Sequence, residues 1–108
     1  MNRAIAGAGL AWAFVLPVAA AQPEGDPRAG ADKAYQCLGC HGSPTYGNVY
    51  PSYHVPRVGG QRAQYIVTAL KAYKTGERSH PTMRAQAAPL SEQDMRDIAA
   101  YFAQQGPR

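Results

Sequence analysis

The sequence predicts a small all-α domain, and three observations predict it. Apolar residues recur at helical spacing in two stretches, helix-start and helix-stop residues flank them, and no stretch alternates apolar with polar residues as a half-buried strand would. Asp26 can cap a first helix whose opening residue is Pro27, a position where a missing backbone N–H costs nothing. That helix is expected to run on into the cysteine pair at 37 and 40. Residues 42–60 carry Pro44, Gly47, Pro51, Pro56, Gly59 and Gly60, a spacing that excludes a long helix and predicts a loop lying over a surface. A second helix is expected over residues 61–75, where Ile66, Ala69, Leu70 and Tyr73 share one face and Gly76 stands to end it. Residues 77–89 read as a connection between helices. The last helix has the clearest start, with Ser91 as N-cap, Asp94 completing a weaker form of the capping box and Leu90 placed to staple onto Met95. Met95, Ile98, Ala99 and Phe102 form its buried stripe, and Gly106-Pro107 ends it.

The chemistry lies in Cys37-Leu38-Gly39-Cys40-His41, because C-x-x-C-H is the cysteine motif of covalent haem attachment. On a helix, Cys40 and His41 stand three and four residues after Cys37, so both sulfurs and the imidazole project from one face. Two thiols can then add to the two vinyl groups of one porphyrin while the histidine binds its iron from the same side. A short-loop disulfide or a redox-active C-x-x-C leaves the histidine unexplained. A thioredoxin-like site also needs a strand leading into the motif. Structural zinc needs four ligands where the motif offers three.

Arg3, the apolar run of 13 residues over positions 4–16 and Ala19-Ala20-Ala21 make residues 1–21 a secretory signal. The run is too short for a bilayer span of about 20 residues. Cleavage after Ala21 leaves residues 22–108 as one domain of 87 residues, for which no stable membrane insertion is expected. Chains of that size bury only about 60% of their unfolded surface, so a buried haem would supply missing core. Export also fits the motif, because bacteria attach haem to c-type proteins outside the cytoplasmic membrane; the expected location is the periplasm. Without the signal, ten Lys and Arg face seven Asp and Glu, a formal charge of +3. That excess can bias encounter with acidic partners but lacks the clustered basic stripe of a nucleic-acid binder.

Haem iron held by one histidine keeps a sixth position, and what fills it separates electron carriers from gas binders. Met95 reads as ordinary core. His54 lies too close to the motif in sequence to reach the opposite face, and reads as an exposed or propionate-contacting residue. Met83 sits among polar neighbours near Pro81 where no apolar stripe asks for it, and is the favoured ligand, with His80 next.

With these residues placed, the chain resembles the class I c-type cytochromes, in particular the short bacterial periplasmic ones with a single haem or the halves of two-haem forms. Four segments carry the resemblance: Cys37 to Gly42; Pro56-Arg57-Val58-Gly59-Gly60-Gln61; Tyr65 to Leu70 followed by Tyr73, Lys74, Gly76, Glu77 and Arg78; and Leu90-Ser91 with Ile98-Ala99-Ala100-Tyr101. The resemblance implies the small cytochrome c fold, three or more helices around one covalent haem c. It implies thioethers at Cys37 and Cys40, axial ligation by His41 and Met83, and a Pro56 carbonyl accepting a hydrogen bond from the His41 ring. It also implies a crossing of the first and last helices with Gly30 against Tyr101. Tyr46, Tyr50 and Tyr53 have no counterpart in the family pattern and are expected to pack around the haem edge.

The expected function is one-electron transfer between redox protein partners, with no side chain acting as acid, base or nucleophile. The alternative is a haem electron-transfer subunit of a periplasmic dehydrogenase or oxidase, so the chain is expected to be a monomer or part of a redox complex. An enzymatic or sensory haem that binds oxygen, nitric oxide, carbon monoxide or peroxide requires that Met83 not bind iron.

Overall fold

The computed structural model describes residues 24–43 and 45–106, together with residues 7, 9 and 12–14. Apart from those last five positions, the expected signal over residues 1–21 lies outside the described residues. The described chain folds as α1 (Pro27–Lys33), α2 (Tyr35–His41), β1 (Gly47–Val49), β2 (Ser52–His54), α3 (Ala63–Thr75), α4 (Pro81–Ala87) and α5 (Glu92–Ala103). The all-α expectation holds, with one small hairpin added. No described helix is long and apolar enough to cross a membrane.

α5 is the centre of the fold, packing against α1 on one side and α3 on the other, while α3 also holds α4. Its expected start is present in full: the Ser91 side chain accepts from the Asp94 N–H at 3.0 Å, and the Asp94 carboxylate accepts from the Ser91 N–H at 2.9 Å. Met95, Ile98, Ala99 and Phe102 are all buried and meet Ile66, Val67, Leu70 and Tyr73 of α3, with Ala34 and Ala87 closing the cluster. On α3, Val67 is buried and Ala69 is half-buried, a small rotation of the expected stripe. Gly76 ends α3 in the left-handed conformation, φ 84°, which a residue with a Cβ rarely adopts.

α1 begins as its residues predict, with the Asp26 carboxylate accepting from the Arg28 N–H at 2.9 Å and Pro27 in the first turn. It crosses α5 at Gly30, where a Cβ would stand 1.9 Å from the Asp97 carbonyl oxygen and 2.9 Å from the Tyr101 Cβ. Only glycine permits that approach, so the expected pairing of Gly30 with Tyr101 is present.

The structure differs from expectation in three places. The first helix is two, broken at the buried Ala34, and neither Gly nor Pro marks the break. Residues 47–54 form an antiparallel hairpin with Gly47 opposite His54, Asn48 opposite Tyr53 and Val49 opposite Ser52. Strands of three residues are too short to show alternation, which is why no strand is legible there. The connection before α5 contains the helix α4, whose single buried residue, Ala87, leaves no apolar stripe to read.

Candidate functional site

α2 carries the entire motif, from Cys37 two residues into the helix to His41 at its last position, capped by Gly42. The condition set by the spacing is therefore met, and Cys37, Cys40 and His41 project from one helical face. Both cysteines are free thiols, with Cys37 half-buried and Cys40 exposed. Burial pushes the Cys37 thiol up, keeping it protonated. Among the described residues no group of three or more His, Cys, Asp or Glu is placed to hold a metal ion by itself.

His41 is oriented by the backbone. Its Nδ1 lies 2.7 Å from the Pro56 carbonyl oxygen. A carbonyl can only accept, so Nδ1 donates and the neutral ring keeps its lone pair on Nε2, the nitrogen left free for a metal. Pro56 is held in place by its neighbours on either side. The Val55 N–H donates to the Tyr46 carbonyl at 3.2 Å, and Gly60, at φ 82°, donates its N–H to the Phe102 carbonyl at 2.9 Å. The loop over residues 55–61 is thus tied to the hairpin at one end and to α5 at the other. A shallow pocket opens between them, lined by Leu38, His41, Arg57, Val58 and Phe102.

α4 carries Met83 and follows His80, the two residues that the sequence offers as a sixth ligand. Met83 is half-buried and packs at the margin of the core, as do Cys37, Leu38 and Val58. The Met83 N–H donates to Nδ1 of His80, 3.2 Å away, and His80 is the N-cap of α4. The His80 ring meets Tyr53 of β2 edge-on at 5.2 Å and Tyr73 of α3 at 6.2 Å. Met95 is 1% exposed and belongs to the core, and His54 is exposed. Of the three loop tyrosines, only Tyr53 packs inward, half-buried against His80; Tyr46 and Tyr50, the latter 95% exposed at the hairpin tip, are both exposed.

These residues fit a covalently attached haem. Two free thiols and an imidazole share one helical face, the histidine tautomer leaves Nε2 available, and an incomplete apolar margin faces outward around them. Two structural roles were not anticipated. His80 reads as a rival ligand in sequence, because histidine is an uncommon helix cap. Asp97, only 3% exposed, accepts from the Asp26 N–H at 2.8 Å, from Lys33 Nζ at 2.6 Å and from Gln93 Nε2 at 2.8 Å. A charged residue inside an apolar helical stripe was the available signal for it.

Comparison with known proteins agrees with this geometry. The cytochrome c family profile matches residues 28–105. Cytochrome c-554(548) of Halomonas halodenitrificans is 40% identical over 84 residues, covering 75% of this chain and 98% of that one. Cytochrome c4 of Thiocapsa roseopersicina is 42% identical over 88 residues, 81% of this chain but 44% of that protein. Among solved structures, the thiosulfate dehydrogenase of Marichromatium purpuratum superposes with a TM-score of 0.64 at 27% identity, over 75% of this chain and 19% of that one. The chain thus spans nearly all of the first relative and less than half of the other two. A match over most of the chain to proteins of this kind, on top of a helical C-x-x-C-H with an oriented histidine, makes this chain a member of the cytochrome c family, an electron-transfer protein whose cofactor is haem c.

Proposed function

We propose that the chain is a periplasmic one-electron carrier with a single haem c, attached at Cys37 and Cys40 and ligated by His41 and Met83. The bond from His41 Nδ1 to the Pro56 carbonyl, 2.7 Å, is the observation that supports this best, because a merely structural histidine has no need of a fixed Nε2 lone pair. When bound, the haem supplies the redox couple, its iron passing between ferrous and ferric states.

The chain's own residues do the rest. Cys37 and Cys40 hold the macrocycle by two thioether bonds, so the group cannot dissociate. His41 presents Nε2 from α2, and the Pro56 carbonyl, by taking the Nδ1 proton, strengthens the ring as a donor. Met83 presents a thioether from α4, a soft ligand that favours the ferrous state over what two nitrogens would give. Leu38, Val58 and Phe102 give the pocket beside His41 an apolar wall. No side chain serves as acid, base or nucleophile, so on this reading the chain is not itself an enzyme. Residues 1–21 act as the cleaved export signal; the two propionates of the proposed haem offset much of the mature chain's formal charge of +3, so charge gives only a mild bias toward acidic partners.

A second reading, a haem subunit of a periplasmic dehydrogenase, is favoured by the likeness to one part of a thiosulfate dehydrogenase chain. Co-purification with a larger catalytic chain would support it, and a free monomer on gel filtration the shuttle.

The test is a spectrum of the exported holoprotein in both oxidation states, with Met83→Ala beside it. The wild type is expected to show the weak far-red sulfur-to-iron band when ferric and no carbon monoxide binding when ferrous. Met83→Ala is expected to lose the band, bind carbon monoxide and drop in potential. An unchanged spectrum refutes Met83 as ligand, and a mass without haem refutes the attachment.

A further inference from the structure

We infer that His80 is a positioning residue for Met83, holding the sixth ligand in place through the backbone of α4. The inference rests on Met83 as the iron ligand. α4 is a helix of seven residues, too short to be stable alone, and it contributes one buried side chain, Ala87, to the core. Little apolar burial therefore fixes its first turn, where Met83 sits. That work falls to the cap. His80 Nδ1 accepts the Met83 N–H at 3.2 Å, so the hydrogen bond that starts the helix ends on the ligand residue itself.

The cap is in turn held from two directions. Tyr53 meets the His80 ring at 5.2 Å with planes 89° apart, and Tyr73 meets it at 6.2 Å and 74°. Tyr73 is buried in α3, and the Arg78 guanidinium lies over its ring, 4.8 Å from the centroid. Tyr53 lies on the hairpin that follows the attachment motif. An Asn or Ser could cap α4 equally well, but neither would reach both rings. A histidine does both, and the acceptor role decides how it can behave toward iron. With the Nδ1 lone pair given to the Met83 N–H, the neutral ring carries its proton on Nε2, so neither nitrogen offers iron a lone pair. His80 is a support for the methionine and not its competitor.

Two substitutions separate the cap from the ring. His80→Asn keeps a side-chain acceptor and loses the ring; His80→Phe keeps a ring between the tyrosines and loses the acceptor. In ferrous holoprotein, the rate of carbon monoxide binding reads the fraction of molecules with Met83 dissociated. His80→Phe is expected to raise that fraction about fivefold, the size of one lost helix cap, with a weaker far-red band in the ferric form. His80→Asn is expected to stay within about twofold of the wild type, because the cap is kept. A His80→Phe protein that matches the wild type, or a His80→Asn protein as defective as His80→Phe, overturns the inference. Should His80→Phe fail to load haem, His80→Ala removes the acceptor without bulk and is read in the same way. Met83→Ala distinguishes the two levels of failure. If it leaves the band intact, the ligand assignment is wrong. If it abolishes the band while His80→Phe changes nothing, only the positioning role is lost.

Discussion

Two methionines lie on two sides of this molecule, and their surroundings differ in kind. Met95 is 1% exposed, packed on α5 among Ile98, Ala99 and the apolar face of α3. Met83 is half-buried at a margin shared with Cys37, Leu38 and Val58, and its main chain is held by a histidine cap. The α1 and α5 side closes on itself: helices meet at a glycine, and one buried carboxylate, Asp97, has three donors. The side of α2 and α4 does not close with amino acids. A domain this small has little core to spare, and on the proposed assignment the haem would finish the packing at this incomplete margin. On that assignment the closed side serves stability and the other side the redox chemistry.

The sharpest way to break the closed side is Gly30→Val. A Cβ there would stand 1.9 Å from the Asp97 carbonyl oxygen and 2.5 Å from its carbon, both backbone atoms that cannot swing aside. The helices must part, at a cost of about 3 kcal/mol or more, beyond the usual range for an overpacked core. In a domain with roughly 5 kcal/mol to lose, the expected outcome is little or no folded holoprotein on export. Folded Gly30→Val with a melting temperature near the wild type would show that the crossing is looser than it looks.

Next comes the pair of methionines themselves. Met95→Ala removes a fully buried side chain and is expected to cost about 2–5 kcal/mol in denaturant unfolding while leaving the far-red band of the surviving holoprotein in place. Met83→Ala is expected to do the reverse, changing the spectrum at a smaller cost in unfolding. If both move both readouts equally, the division between the two sides is not real.

That division was only half legible in the sequence. The closed side could be read because its signals are periodic and local: Ser91 and Asp94 form the capping box, and Met95, Ile98, Ala99 and Phe102 fall at helical spacing. The attachment motif was legible because its three side chains are fixed by one helix. The placement of His41 against Pro56 came from family likeness, since nothing in the spacing of residues 15 positions apart requires it. The hairpin, α4 and the role of His80 were not readable. Each depends on contacts distant in sequence, as when Tyr53 and Tyr73 close on His80, and strands of three residues or a helix with one buried position leave no pattern. Asp97 was missed because burial of a carboxylate depends on where Lys33 and the Asp26 N–H arrive.

Asp97 also yields the smallest of these effects, and it isolates the closed side by pH alone. Its carboxyl is pulled down first by Lys33, then by the Asp26 N–H and Gln93, against the opposing effect of burial. Asp94 is held at about 2, again chiefly by Lys33, with the Ser91 cap adding to it. Groups depressed on folding contribute stability that is complete above their unfolded value of 3.8 and fades as pH falls toward the folded value. Asp97→Asn keeps the shape and an acceptor for the Asp26 N–H but removes the charge facing Lys33. Because the lysine is partly exposed and screened, the loss at neutral pH is expected to be about 1 kcal/mol, some 4–8 °C in melting temperature. The gap should narrow as pH falls below 3.8 and the wild-type Asp97 carboxylate, held down by Lys33, in turn takes up its proton. The far-red band at neutral pH should be the same in both proteins, since Asp97 lies on the side away from Met83. Melting curves that stay parallel down the acid range would mean that the buried carboxylate contributes shape and not charge to the joint between α1 and α5.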